Sequence, residues 1–191
     1  MNRIQEILEH NKAFVENKDY EVFLTSRYPD KRMVILTCMD TRLVELLPKA
    51  MNLRNGDAKI IKNAGAIVTQ PFGNIMRSII VALYELEAQE VLVVGHHQCG
   101  MTGLNSESLM AKMRAQGIPE DTMDTLKHSG IHLERWLKGF DSVEEGVKTS
   151  VEIITNHPLL PPNVPVHGLI IDPTTGSIEL AVDGYAALQN K

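Results

Sequence analysis

Two short clusters hold the residues best suited to chemistry, Cys38-Met39-Asp40-Thr41-Arg42 and Gly95-His96-His97-Gln98-Cys99-Gly100-Met101. Cys38 and Cys99 are the 2 cysteines of the chain. Two thiolates and one imidazole make a good tetrahedral donor set for zinc, and three protein ligands leave a fourth position for water. Structural zinc sites usually close with a fourth protein ligand instead. The His96-x-x-Cys99 spacing lets one turn grip an ion, with Cys38 as the distant third donor. Each cluster alone has a plainer reading, since a buried cysteine usually acts as a small apolar core residue and short motifs recur by chance. Together they carry more weight, because both cysteines fall beside an acid, an arginine or a histidine.

Both clusters follow apolar runs that read as strands. Met33-Val34-Ile35-Leu36-Thr37 leads into Cys38, and Val91-Leu92-Val93-Val94 leads into Gly95 and His96. A further apolar run covers residues 58–62. Between these runs lie helix-period segments, one with Leu43, Leu46 and Leu47 on its inner face, the next with Ile75, Met76, Ile79, Ile80, Leu83 and Leu86. Short apolar strands alternating with amphipathic helices predict βαβ units and a parallel sheet covered on both faces. Ligands in such sheets bind beyond the carboxyl ends of strands, where neighbouring connections leave on opposite faces. If the first and third strands are neighbours, Cys38, His96 and Cys99 meet at such a crevice.

Residues 105–140 read as helices joined by polar turns, and Val143, Val147, Val151 and Ile154 mark another helix. The proline-rich residues 157–165 are expected to form a surface connection. Residues 166–171 and 178–182, separated by Asp172-Pro173-Thr174-Thr175-Gly176, predict a terminal strand pair. The expected architecture is α/β: one domain over residues 1–191, with a mostly parallel central sheet of about four to five strands flanked by helices. An amphipathic N-terminal helix carrying Ile4, Ile7, Leu8, Phe14 and Val15 precedes it.

The chain has 191 residues, of which 43% are apolar and 23% charged, as in an ordinary globular protein. A net charge of -5 without a basic stripe excludes an electrostatic case for nucleic acid. No apolar run approaches the roughly 20 residues of a membrane span, and the N-terminal helix lacks an unbroken signal core. A cytoplasmic location with reduced thiols is expected.

The pair C-x-D-x-R and H-x-x-C, matched by Cys38, Asp40, Arg42, His96 and Cys99, resembles the signature of the β-class carbonic anhydrases. The segments Asp57-Ala58-Lys59-Ile60-Ile61-Lys62-Asn63-Ala64-Gly65 and Val166-His167-Gly168-Leu169-Ile170-Ile171-Asp172 resemble the compact archaeal-like branch of that family. His97 departs from the pattern, where a small hydroxyl residue is more usual. The resemblance implies zinc held by Cys38, His96 and Cys99, and a hydrogen-bonded Asp40–Arg42 pair beside it. It also implies reversible hydration of carbon dioxide to bicarbonate and a proton by zinc-bound hydroxide, in a homodimer or larger homo-oligomer.

The chemistry can be argued from the residues. Three neutral histidines let zinc acidify bound water to a pKa of about 7. Two thiolates neutralise the metal's formal charge, so water here is expected to be less acidic and activity to rise toward mildly alkaline pH. Asp40 can accept a hydrogen bond from the nucleophile and aim it, while Arg42 keeps that carboxylate ionised. Resemblance to some family members also implies a possible closed state, in which Asp40 swings onto zinc and displaces water, and an intact pair with Arg42 should oppose it. Gly65 can offer a backbone N–H to bicarbonate, or serve as a simple turn glycine.

His97 is placed at the pocket, as a proton shuttle or as a surface residue. His10, His128, His132 and His157 are expected to be solvated, His167 to be a hydrogen-bonded core residue, and Met101, Met110 and Met113 to fill a core on a helix.

Three rivals stand beside hydration of carbon dioxide. The same site could hydrolyse carbonyl sulfide or carbon disulfide. A non-catalytic zinc protein would use Asp40 as the fourth ligand, against which Arg42 offers the aspartate another partner. A cysteine-nucleophile phosphatase or sulfurtransferase fits poorly, because Cys38 and Arg42 are too close for a phosphate cradle.

Overall fold

A computed structural model describes residues 2–189. Its elements, in chain order, are α1 (Arg3–Glu16), β1 (Met33–Cys38), α2 (Leu43–Ala50), β2 (Ala58–Asn63), α3 (Asn74–Tyr84) and β3 (Glu90–His96). Helices α4 (Ser106–Ala115), α5 (Glu120–His128), α6 (Leu133–Trp136) and α7 (Val143–Thr155) come next. Strands β4 (Val166–Ile171) and β5 (Ile178–Val182) and helix α8 (Gly184–Gln189) complete the order.

The five strands form one sheet in the order β2-β1-β3-β4-β5. All pairings are parallel except β4 with the edge strand β5. The expected α/β fold is therefore present, and β1 and β3 are neighbours, with Thr37 opposite Val94 at the carboxyl end. Thr37 Oγ1, buried, donates to the Val94 carbonyl at 3.0 Å and pins the two strands where the clusters begin.

Alternating side chains divide the core. Val34, Leu36, Val91 and Val93 pack with α3 and α7 through Met76, Ile79, Val147 and Ile154. Ile35, Leu92 and Val94 pack with Leu43 and Leu47 of α2 on the other face. Right-handed crossovers explain the split. The chain moves from β1 outward to β2 through α2, then back past β1 to β3 through α3, so the two helices must cover opposite faces.

Helix α7 sits close to the sheet because two strand positions lack a side chain. A Cβ at Gly95 would come within 2.7 Å of Val147 Cγ2, and one at Gly168 within 2.7 Å of Val147 Cγ1. Among the described residues no helix is long and apolar enough to cross a membrane.

Two local expectations need correction. His157 is buried, not solvated: its Nδ1 accepts the Leu159 N–H at 3.2 Å and its ring packs on Phe72, with centroids 5.0 Å apart. Met101 lies in a turn before α4, not on a helix, because Thr102 N–H bonds back to the Cys99 carbonyl and Gly103 N–H to that of Phe140. His10, His128 and His132 are exposed as expected, and His167 is buried with its Nδ1 accepting the Gly184 N–H at 3.1 Å.

The seat of Val147 on two glycines can be tested. Gly95→Ala and Gly168→Ala are each expected to destabilise the fold by about 1–3 kcal/mol through overpacking, read from urea midpoints. Adding Val147→Ala should recover part of each loss, and strictly additive losses would count against this packing.

Candidate metal centre

Cys38 ends β1, His96 ends β3, and Cys99 follows one turn later. Their ligand atoms all lie within 4.8 Å of one another, and all three residues are buried. The sulfurs are 3.9 Å apart and not joined. Two sulfurs each about 2.3 Å from zinc at a tetrahedral angle would be roughly 3.8 Å apart, so the observed spacing fits an ion between them.

His96 is oriented for the same purpose. Its Nδ1 lies 2.8 Å from the His97 carbonyl, which can only accept, so Nδ1 carries the proton. With the proton on Nδ1, Nε2 is the atom turned toward the sulfurs, and this buried atom has no hydrogen-bond partner. His157 and His167 also have a buried Nε2 without a partner, so it is the placement of this atom beside two cysteine sulfurs that fits a metal ligand.

Backbone donors face both sulfurs. Gly65 N–H donates to Cys38 Sγ at 3.4 Å. Burial pushes the Cys99 thiol up to about 11, opposed by a hydrogen bond from the Met101 backbone and reinforced by Cys38. Gly65 holds its position at φ 85, a left-handed conformation, and a Cβ there would come within 2.9 Å of Phe140 Cε1 and 3.1 Å of Met101 Cγ. The N–H that the sequence offered to bicarbonate is thus directed at a sulfur.

Asp40 and Arg42 form a bidentate pair beside this cluster. Arg42 Nε donates to Oδ1 at 2.9 Å and Nη2 to Oδ2 at 2.8 Å, while the Arg42 backbone N–H donates to Oδ1 at 2.9 Å. These bonds hold the Asp40 carboxyl well below the usual carboxylate range. Asp40 Oδ2 lies 3.7 Å from His96 Nε2, so the carboxylate borders the donor set while paired with the arginine.

His97 contributes to this cluster through its backbone. Its side chain, 44% exposed, turns toward Glu179 at 3.8 Å. Three contributors escaped sequence reasoning: the Met101 N–H, the His97 carbonyl, and Gln98, whose side-chain and backbone oxygens each meet Arg42 at 3.3 Å. Backbone groups carry no sequence signal, and nothing in the chain flags a glutamine between a histidine and a cysteine.

Residues 33–178 match the family described as carbonic anhydrase. The Bacillus subtilis (strain 168) protein named "Putative carbonic anhydrase YtiB" is 61% identical over 185 residues, 97% of this chain and 99% of that protein. The crystal structure of the β-carbonic anhydrase isoform I of Trichomonas vaginalis superposes with a TM-score of 0.88 at 35% identity, covering 97% of this chain and 100% of that one. A carbon disulfide hydrolase of Acidianus sp. (strain A1-3) is 30% identical over 171 residues, 83% of this chain and 81% of that protein. The chain belongs to the β-carbonic anhydrase family.

With its thiol raised by burial, Cys99 holds its proton across the neutral range, so a cation bound there would have to displace it, which would link metal affinity to pH. Zinc affinity, measured by competition with a chelator, is expected to strengthen about tenfold per pH unit from about pH 6 to about pH 8 for that proton alone. An affinity that ignores pH would contradict a thiolate site.

Proposed function

We propose that this protein binds one zinc ion through Cys38, His96 and Cys99 and catalyses reversible hydration of carbon dioxide to bicarbonate and a proton. The observation that carries the reading is a three-donor cluster of zinc dimensions bordered by a carboxylate already claimed by an arginine. A structural site would gain from Asp40 as a fourth ligand, whereas here the carboxylate is paired bidentately elsewhere.

When bound, zinc supplies a Lewis acid that makes water nucleophilic near neutral pH. The residues of the chain do the rest. Asp40, kept ionised by Arg42, can only accept hydrogen bonds. It takes one from the attacking water and leaves a lone pair directed at the carbon of carbon dioxide. A C–O bond forms, one C=O π bond opens onto oxygen, and the proton passes to solvent. Gly65 and Met101 hold the two thiolates through their N–H groups.

A second copy of the chain completes the reading. Helix α1 has no buried residue and exposes Ile4, Ile7, Leu8 and Val15. Such a face favours a homodimer or larger assembly, as the family resemblance implies. Sedimentation should give at least twice the 21.3 kDa of one chain, and a monomer at micromolar concentration would remove this part. Free thiols suit a reducing, cytoplasmic setting.

The carbon disulfide hydrolase relative supports a second reading, hydrolysis of carbon disulfide or carbonyl sulfide at the same centre. Stopped-flow assays of zinc-loaded protein on each gas separate the two. Hydration of carbon dioxide is expected to dominate and to rise from neutral toward mildly alkaline pH. Asp40 remains ionised throughout that range, so the rise belongs to the water. Cys38→Ser should lose zinc and activity together, and Asp40→Asn should retain zinc while losing roughly a hundredfold in rate. Zinc-loaded protein inert toward carbon dioxide would overturn the proposal.

A further inference from the structure

We infer that Gln98 is a positioning residue that holds Arg42 in place and thereby keeps Asp40 off the metal. The inference rests on the zinc-site reading and concerns which of two states the Asp40 carboxylate adopts.

The geometry divides the arginine between two partners. Asp40 occupies one edge of the guanidinium, through Nε and Nη2. Gln98 occupies the other, with its Oε1 accepting from Nη1 and its backbone carbonyl from Nη2, both at 3.3 Å. The fork is rigid and planar, so it moves as a unit by rotation about Cδ–Nε and the torsions before it, and a plane held on two edges has less of that freedom than one held on a single edge. The Gln98 side chain supplies the one contact to Nη1 among the described hydrogen bonds of this group.

What is restrained matters, because the carboxylate has a competing use. Asp40 Oδ2 is 3.7 Å from His96 Nε2, the donor atom of a metal ligand, and carboxylate oxygens are ordinary zinc ligands. The same oxygen cannot serve Arg42 and a metal ion equally well. Any contact that fixes Arg42 therefore favours the state with the metal's fourth position left to solvent or substrate.

The backbone at Gln98 adds a second observation. Its φ is 56, the left-handed region that glycine enters freely and other residues rarely. A glycine would make this turn between His96 and Cys99 without strain. A glutamine tolerated there has its side chain engaged across the crevice, from the loop after β3 to the loop after β1. It ties together the two loops that bear the metal ligands.

The test uses the full chain loaded with cobalt(II), whose visible absorption reports binding of azide at the fourth position. Gln98→Met removes the acceptor while keeping the bulk, and Gln98→Gly removes it while relieving the backbone, so one serves if the other folds poorly. In either variant the azide dissociation constant is expected to rise about fivefold, as Asp40 competes for the metal. Combined with Asp40→Asn, the same substitutions should leave azide affinity unchanged. Unaltered affinity with Asp40 present would overturn the inference, and so would a shift that persists in the Asp40→Asn protein. Failure of the unsubstituted chain to take up cobalt would instead strike the metal-site reading, at an earlier and separate step.

Discussion

Two buried sulfurs 3.9 Å apart impose the constraint around which the rest of the site is arranged. As thiolates they would repel each other by about 4 kcal/mol at an effective dielectric constant of 20, besides losing their hydration. As thiols they would offer a metal little. A divalent cation would resolve the conflict, since its attraction to each thiolate would outweigh their mutual repulsion. The N–H groups of Gly65 and Met101 lower the remaining cost without adding net charge. Carbonyl oxygens face neither sulfur among the described contacts; the nearby carbonyl of His97 is turned to the protonated side of His96 instead.

This arrangement depends on sheet topology more than on any loop. Parallel β1 and β3 end at the same level because Thr37 opposes Val94, so Cys38 and His96 emerge side by side. Their following chains separate, one into α2 on one face and the other toward a turn anchored by the bond from His97 N–H to the Ile171 carbonyl. The gap between them is a crevice of the kind that reversed strand order produces. The core packing explains why it stays open to fixed dimensions. Helix α2 is bound by Leu43 and Leu47, and α7 is drawn onto the sheet by Gly95 and Gly168, so neither helix can drift over the strand ends.

The sequence made the strands and the ligand types legible because both depend on local pattern. Runs of five and four residues led into Cys38 and, after Gly95, into His96, and the helices between them carried clear 3.6-residue periodicity. The neighbourhood of β1 and β3 had to be supplied by the habits of α/β folds, and the structure agrees with it. Features that depend on backbone direction were hidden. Gly65 could be seen as a glycine, but not that its N–H would meet Cys38 Sγ. The left-handed turn at Gln98 has no compositional mark, because a glutamine is an unusual choice there. His157 misled for a related reason: in a proline-rich connection it looked solvated, yet the Leu159 N–H and the Phe72 ring enclose it.

On the proposed reading, the pairing of Asp40 with Arg42 is what would distinguish a working centre from a structural one. Three protein donors with no competing carboxylate would leave the fourth position open by default, but would also leave the nucleophile unaimed. A carboxylate free to ligate would aim nothing, because it would replace the nucleophile. The observed arrangement keeps the carboxylate within reach of the donor set and satisfies it through three hydrogen bonds from Arg42, which is itself held by two more to Gln98. Because the arginine is ionised at every accessible pH, this restraint does not lapse when the surroundings become acidic. On the proposed reading, the balance between an aimed and a self-blocked centre would be set by hydrogen-bond geometry around one guanidinium, and it could be shifted by changing what holds that group while every candidate metal ligand stays the same.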